Sequence, residues 1–511
     1  MQRRSAARKS RQARLPDEMW ELVFSYLLPR HLKTVRLVRQ QWNTIVCSKP
    51  SLLSKLTLSI PAGCTAQKLQ QMGTTRYSNV TVQNGTVETA PFLKNFTIRK
   101  LTLKLPWITA GALVGMLGGL PLVELSLHAA RQFNYELFDS VPTGQMLTDL
   151  ESLHLDLGDK DEFLRIFQSM CPKLARLRLN AVMKRYLGQH YGSKLLEFIR
   201  SNSDTLVELI FEGIDFCDES LLRDIIAIEG LELKHLSLLT CKARDYDIEE
   251  LFEHQTSLTT LCLPLSCVIC NSIFTGIGMY LQNLTALHLA VDFVDVVSVL
   301  SNIPRLRSLQ MVYEGPPSEF LDLSSYENKQ LHTLVLTNFY LDSITLLECL
   351  KKCPNIQKLW IKLCHMITVH DILVIAGQLE DLHDLAVRRH GGESCPDKFG
   401  EYSVSPFRKL RLLNVIREPS SKQLCTLLEN CPVLYSLIVS SSLFTDAELS
   451  VLIKFMGNVT ALCLTNLPNI TALAAEKAVR QCPKMETLRI CRCPNVSRFV
   501  PQRSTVSVAF E

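Results

Sequence analysis

One pattern constrains this chain more than any other. LxxLxL, an apolar residue with two more at the fourth and sixth places, recurs about eighteen times in 511 residues. Clear copies open at Leu122, Leu150, Leu174, Leu233, Leu258, Leu284 and Leu331. Copies using other apolar residues open at Leu206, Leu306, Ile356, Leu382, Leu410, Leu434, Val459 and Met485. Weaker ones open at Leu53, Tyr77 and Ile98. The intervals run from 21 to 32 residues, most of them 24 to 28. A period of that length marks a stacked repeat.

In an extended chain the fourth and sixth places face one side, and the third, fifth and seventh face the other. The apolar side buries, and each side chain contributes about 1.5–3 kcal/mol on leaving water. One repeat cannot cover its own apolar face. Stacked neighbours cover it for each other, as one continuous core beneath a parallel sheet. The return segments have helical spacing: Phe163, Ile166, Phe167 and Met170 fall at i, i+3, i+4 and i+7, as do Leu449, Leu452, Ile453 and Met456. Thr445 to Glu448 reads as a capping box for the second of these. The pattern therefore predicts an α/β solenoid: a horseshoe with a parallel sheet on its concave side and helices on its convex side.

Four repeats carry Cys-Pro three residues before the opening place, at Cys171, Cys353, Cys431 and Cys482. Proline ends the preceding helix, and the cysteine serves as a small buried apolar group. This register resembles the cysteine-containing subclass of leucine-rich repeats, which is common in F-box proteins. The resemblance covers residues 50–495.

Apolar residues make up 47% of the chain and charged ones 21%, enough for a large core and too apolar for general disorder. The net charge is +5, but Arg3, Arg4, Arg8, Lys9, Arg11 and Arg14 crowd the first fourteen residues with no acid among them. The body is nearly neutral, which argues against general nucleic-acid binding. The tail reads as a solubilising arm, with a nuclear-import signal as the alternative. It lacks an apolar signal-peptide core, so the 18 cysteines are expected to stay reduced in cytosol or nucleus. Ile108 to Val123 is almost wholly apolar, yet shorter than the roughly 20 residues a membrane span needs. It reads as a buried helix leading into a strand.

The segment before the array follows another rule. Pro16 suits a first helical position, with Asp17 and Glu18 favourable in the first turn. Trp20, Val23, Phe24 and Leu27 follow at helical spacing, and Pro29 is expected to end that helix. Val35, Val38, Trp42 and Ile45 make a second series. Two or more helices this short need the solenoid, a partner, or both.

The stretch Leu15 to Val46 resembles the F-box family in its Leu-Pro-x-Glu opening, its Phe24-Ser25-Tyr26-Leu27 helix end and its Val38-Arg39-x-x-Trp42. The resemblance implies a helical module that docks on a Skp-type adaptor, which joins a cullin scaffold. It makes Leu15, Pro16, Val23, Phe24, Leu27, Val38 and Trp42 the adaptor contacts. Arg39 stands where the family often has cysteine.

A target would meet the outward strand places: Thr333, Val335 and Thr337, then Lys358, Trp360 and Lys362, then Asp384, Ala386 and Arg388. Trp360 amid Lys358, Lys362, Arg388 and Arg389 suits an acidic or phosphorylated segment. The alternative is a ring lying flat on its neighbours between solvated lysines. Arg176 and Arg178 sit among Asp156, Glu208 and Glu212 and are expected to pair across strands. Residues 313–330 and 389–409 read as loops and are second candidates for recognition.

Cys267 and Cys270 have metal-ligand spacing without a second pair, and Cys364-His365 and Cys491-x-Cys493 are also alone. No nucleophile–base set or phosphate-cradling glycine loop stands out, so neither catalysis, cofactor nor metal is expected. The chain divides into a basic tail (1–14), an F-box module (15–50), the solenoid (51–495) and a C-terminal tail (496–511). The expectation is a non-catalytic substrate receptor of a Skp–cullin–F-box ubiquitin ligase. It would be monomeric within that complex, cytoplasmic or nuclear, with a target protein as partner and no membrane or nucleic acid. The rivals are a binding scaffold that promotes no ubiquitination, and a ribonuclease-inhibitor-like solenoid whose helical module is only a cap.

Overall fold

The structure, a computed structural model, describes residues 15–64, 77–83, 93–94, 96–134, 147–157, 164–168, 170–181, 192–217, 220–265, 268–293, 295–315, 320–367, 371–372, 376–389, 407–416, 421–441, 444–496 and 506–510. The basic tail, Phe163, Cys267, Pro316, Pro317 and residues 390–406 lie outside these.

The repeat register holds throughout. The first, fourth and sixth leucines of all seven clear copies are no more than 3% exposed. The substituted copies follow: Leu206, Leu209 and Phe211 are buried, as are Met485, Leu488 and Ile490. Of the weaker openings, Leu53 and Ile98 are buried and Tyr77 is half-buried. The chain is an α/β leucine-rich-repeat solenoid, and it divides into two compact units.

The first unit comprises residues 1–214 and 227–231. It opens with four helices: α1 (Asp17–Ser25), α2 (Pro29–Val38), α3 (Gln40–Ser48) and α4 (Pro50–Leu53). Parallel strands follow at Thr57–Ile60, Asn79–Gln83, Lys100–Thr109, Glu124–Asn134, Ser152–Leu157, Arg176–Ala181 and Glu208–Glu212. The apolar run from Ile108 ends one strand and forms the helix Ala110–Leu117, whose Leu113, Val114, Met116 and Leu117 are buried. Among the described residues no helix is long and apolar enough to cross a membrane.

The second unit repeats strand and helix from Asp215 onward. Its strands Ala286–Val291, Ser308–Tyr313, Thr333–Thr337, Lys358–Cys364, Asp384–Arg389 and Leu412–Ile416 pair in parallel and in order. The helix Asp446–Leu452 carries the expected capping box, with the Thr445 amide donating to Glu448 Oε2 at 2.7 Å. The four Cys-Pro cysteines are buried, and burial pushes the Cys171 and Cys431 thiols up to about 12. Gln255 and Asn328 occupy the same place in other repeats. There the buried amides replace sulfur packing by donating to Ile226 O and Leu306 O of the preceding turn. The C-terminal segment departs from the repeat pattern, yet Ser507–Phe510 adds another parallel strand beside Thr487–Cys491.

Two helix boundaries differ from expectation. The first helix ends at Ser25, and Pro29 begins the next helix instead of ending this one. That is proline's favoured place, because its missing N–H has no acceptor there anyway. The series from Val35 to Ile45 is interrupted at Arg39, whose extended backbone (φ −148°, ψ 142°) separates α2 from α3. No proline or glycine marks that break.

Candidate docking surfaces

The head builds its own small core. Phe24, Leu32, Ile45, Val46, Leu52, Leu53 and Leu56 are buried together, with Trp20, Leu27, Val35, Trp42 and Tyr77 packed around them. Trp20, Phe24 and Trp42 form an aromatic triangle with centroids 4.9–5.7 Å apart. Leu56 and Tyr77 belong to the first repeats, so solenoid and head share this core. Arg36 reinforces the junction by donating to Tyr77 Oη at 2.8 Å and Asn43 Oδ1 at 2.9 Å. Glu21 accepts from Ser51 at 2.7 Å and pairs with Lys49 at 3.0 Å, which together hold its carboxyl below the usual range.

The seven residues expected to touch an adaptor fall into two groups. Phe24 is 2% exposed, and Leu27 and Trp42 are half-buried against the same cluster. These three shape the module from within. Leu15, Pro16, Val23 and Val38 face outward. Sequence reasoning missed their companions, because Met19, Leu22, Tyr26, Leu28 and Leu37 are exposed as well. Tyr26 is 81% exposed and Leu37 88%. Large apolar residues so exposed and so close in sequence make this stretch a candidate interaction surface. Arg39 stacks its guanidinium 5.8 Å from the Trp42 ring, and the Trp42 Nε1 donor is buried without a hydrogen-bond partner.

The second surface centres on Trp360. Its strand has the alternation expected, with Leu359 and Ile361 buried and Lys358, Trp360 and Lys362 half-buried on the outward side. Lys358 Nζ lies 3.6 Å and Lys362 Nζ 4.0 Å from the ring centroid. The indole N–H donates to Asp384 Oδ1 at 2.9 Å. Val335 and Ala386, outward by sequence, are in register with Trp360 on either side and are buried. Their outward direction does not expose them, because the large ring standing between two smaller side chains covers what it stands beside. The ring is thus half-buried among its neighbours, with the Lys358 and Lys362 ammonium groups against it. Burial, then Lys358 and Arg388, hold Lys362 below the usual lysine range. Burial, then Lys362, lower His288, an outward residue of an earlier strand.

Leu363 adds a local irregularity. Its φ of 54° is left-handed, and the pairing register shifts between Lys362 and Cys364, so that Cys364 faces Arg389. A bulge of this kind re-aims the residues beside it. Arg388 is exposed opposite Lys362. Elsewhere, Arg178 pairs with Glu212 at 2.5 Å, the cross-strand pairing expected of it.

No family model matches the chain, and no curated protein does. Several solved structures are similar to it. One is the crystal structure of a Rad7 and Elc1 complex in yeast, 15% identical over 96% of this chain and 92% of that one, TM-score 0.38. Another is the leucine-rich-repeat protein LIC12759 of Leptospira interrogans, 17% identical over 86% and 95%, TM-score 0.33. A third is a TLR13–ssRNA13 complex, 13% identical over 88% and 76%, TM-score 0.38. At these scores they support no functional inference.

Proposed function

We propose that this chain is a non-catalytic substrate receptor of a Skp–cullin–F-box ubiquitin ligase. The head docks on the adaptor, and the outward strand face around Trp360 takes an acidic or phosphorylated segment of the target. One observation carries the reading. In a head whose core is already filled by its own helices and the first repeats, eight large apolar side chains between Leu15 and Val38 remain exposed. A module that served only as a cap would turn such residues inward. The F-box resemblance of the same segment supplies the kind of partner. Catalysis then comes from holding a target near a charged ubiquitin-conjugating enzyme, in cytosol or nucleus.

A pull-down tests this. Adaptor and cullin should co-purify with the wild type and be lost with Leu37→Asp or Tyr26→Asp, changes at exposed positions that spare the core. Retained binding in both variants removes the docking assignment. Adaptor binding with no change in any protein's turnover on deletion of the chain favours the scaffold reading instead. Phe24→Asp is a poor probe, because it would unfold the head and lose binding for that reason alone.

A further inference from the structure

We infer that His128, His154 and Asp156, on the outward strand face of the first unit, form a site for a zinc-like divalent cation. One ligand atom from each lies within 4.8 Å of the others. His128 Nδ1 is 3.0 Å from Asp156 Oδ2, and His154 Nε2 is 3.8 Å from Asp156 Oδ1. The two imidazoles meet edge to face with centroids 4.9 Å apart. Zinc bonds of about 2.0–2.1 Å place tetrahedral ligand atoms about 3.3 Å from each other. The two histidine–carboxylate separations bracket that value.

Two features distinguish the trio from an ordinary surface histidine–carboxylate pair. The Asp156 side chain is only 12% exposed, and Asn180 Nδ2 donates to its Oδ1 at 3.1 Å. A carboxylate steadied by an outer hydrogen bond is the usual support of a metal ligand. His154 Nε2 is buried without a hydrogen-bond partner, and a cation would satisfy its lone pair.

Arg178, in register with His154, opposes a cation, but its guanidinium is engaged by Glu212 at 2.5 Å. Lys104, in register with His128, is exposed. The ligands come from Glu124–Asn134 and Ser152–Leu157, so the metal would tie two successive repeats together. Three protein ligands leave a fourth place for water or for a donor atom of a bound target. None of this depends on the head or on the Trp360 face.

The full-length protein, stripped by a chelator, is titrated with Zn2+ against a chromophoric competitor. The wild type is expected to bind one equivalent more than His154→Ala or Asp156→Asn, with the far-UV circular dichroism of both variants unchanged. His128→Gln, at the more exposed ligand, should weaken that equivalent at least tenfold and guards against misfolding of the other two. Anomalous scattering from a zinc-soaked crystal should place the ion between the three side chains. Equal stoichiometry in the wild type and all three variants overturns the assignment, as does anomalous density found only at cysteine sulfurs.

Discussion

The head and the array spend their apolar residues differently. In the array, the first, fourth and sixth places of the clear copies go inward, and the outward places are mixed, with Thr333, His288, Lys358 and Gln310 beside Val335, Trp360 and Ala386. In the head, Phe24, Leu32, Ile45 and Val46 go inward while Leu15, Met19, Leu22, Val23, Tyr26, Leu28, Leu37 and Val38 stay out. Most of the array's apolar content goes into stacking, and its exposed apolar side chains, such as Met279, Ile344, Met366 and Leu473, are spread far apart along the sequence. The head has more apolar surface than its fold uses, and the excess is available to a partner.

The largest effect should come from emptying the head's core. Phe24→Ala removes an aromatic ring from a cluster of seven buried residues and is expected to cost about 3–5 kcal/mol. In the array, Leu336→Ala is expected to cost about 2–5 kcal/mol, spread mainly to neighbouring repeats. Urea denaturation followed by hydrogen exchange checks both. A head that tolerates Phe24→Ala with less than about 1 kcal/mol of loss would not have the closed core on which the contrast rests.

The reverse separation is expected at the head's surface. Leu37→Asp should change stability by no more than about 0.5 kcal/mol, yet cost adaptor affinity about tenfold or more. Calorimetry on the purified pair, with thermal melts of the free chain, reads the two quantities separately. A loss of stability as large as the loss of binding would make Leu37 a structural residue and erase the difference between the head's two faces.

Trp360 lies between these extremes. Sequence reasoning expects Trp360→Ala to affect target binding alone. With the N–H bonded to Asp384 and the ring beside buried Val335 and Ala386, about 0.5–1.5 kcal/mol of stability should go as well. Trp360→Phe keeps a ring but loses the N–H. It should recover most of the stability, and if the aromatic face anchors a target, most of the affinity too.

Much of this was legible in the chain. The inward places are fixed by a two-residue alternation and a repeat period, and both are local signals. The split of the head was not legible, because Val23 and Phe24, or Val35 and Val38, fit a helical stripe equally well whether the stripe meets a core or a partner. The burial of Val335 and Ala386 was hidden for a different reason. It depends on Trp360, which lies 25 residues from one and 26 from the other. The His128, His154 and Asp156 cluster is assembled the same way, from outward places in successive repeats that share no motif. The strand Ser507–Phe510 has no leucine pattern, and none of its four residues is buried.

The smallest effect expected is a pH dependence on the array's outward face. Burial, then Lys362, lower His288 below its ordinary value of 6.5. As pH falls through that ordinary value the unfolded chain takes up a proton that the folded chain still refuses, so stability declines until the folded value is reached. Above it the histidine is neutral in both states and contributes no slope. His288→Gln should therefore flatten the fall in stability below pH 6.5 relative to the wild type. Lys362→Gln should flatten it less, because burial remains as the first cause. Ring-proton NMR of His288 gives the same answer directly. A titration at or above 6.5 would mean that this face is better hydrated than its packing indicates.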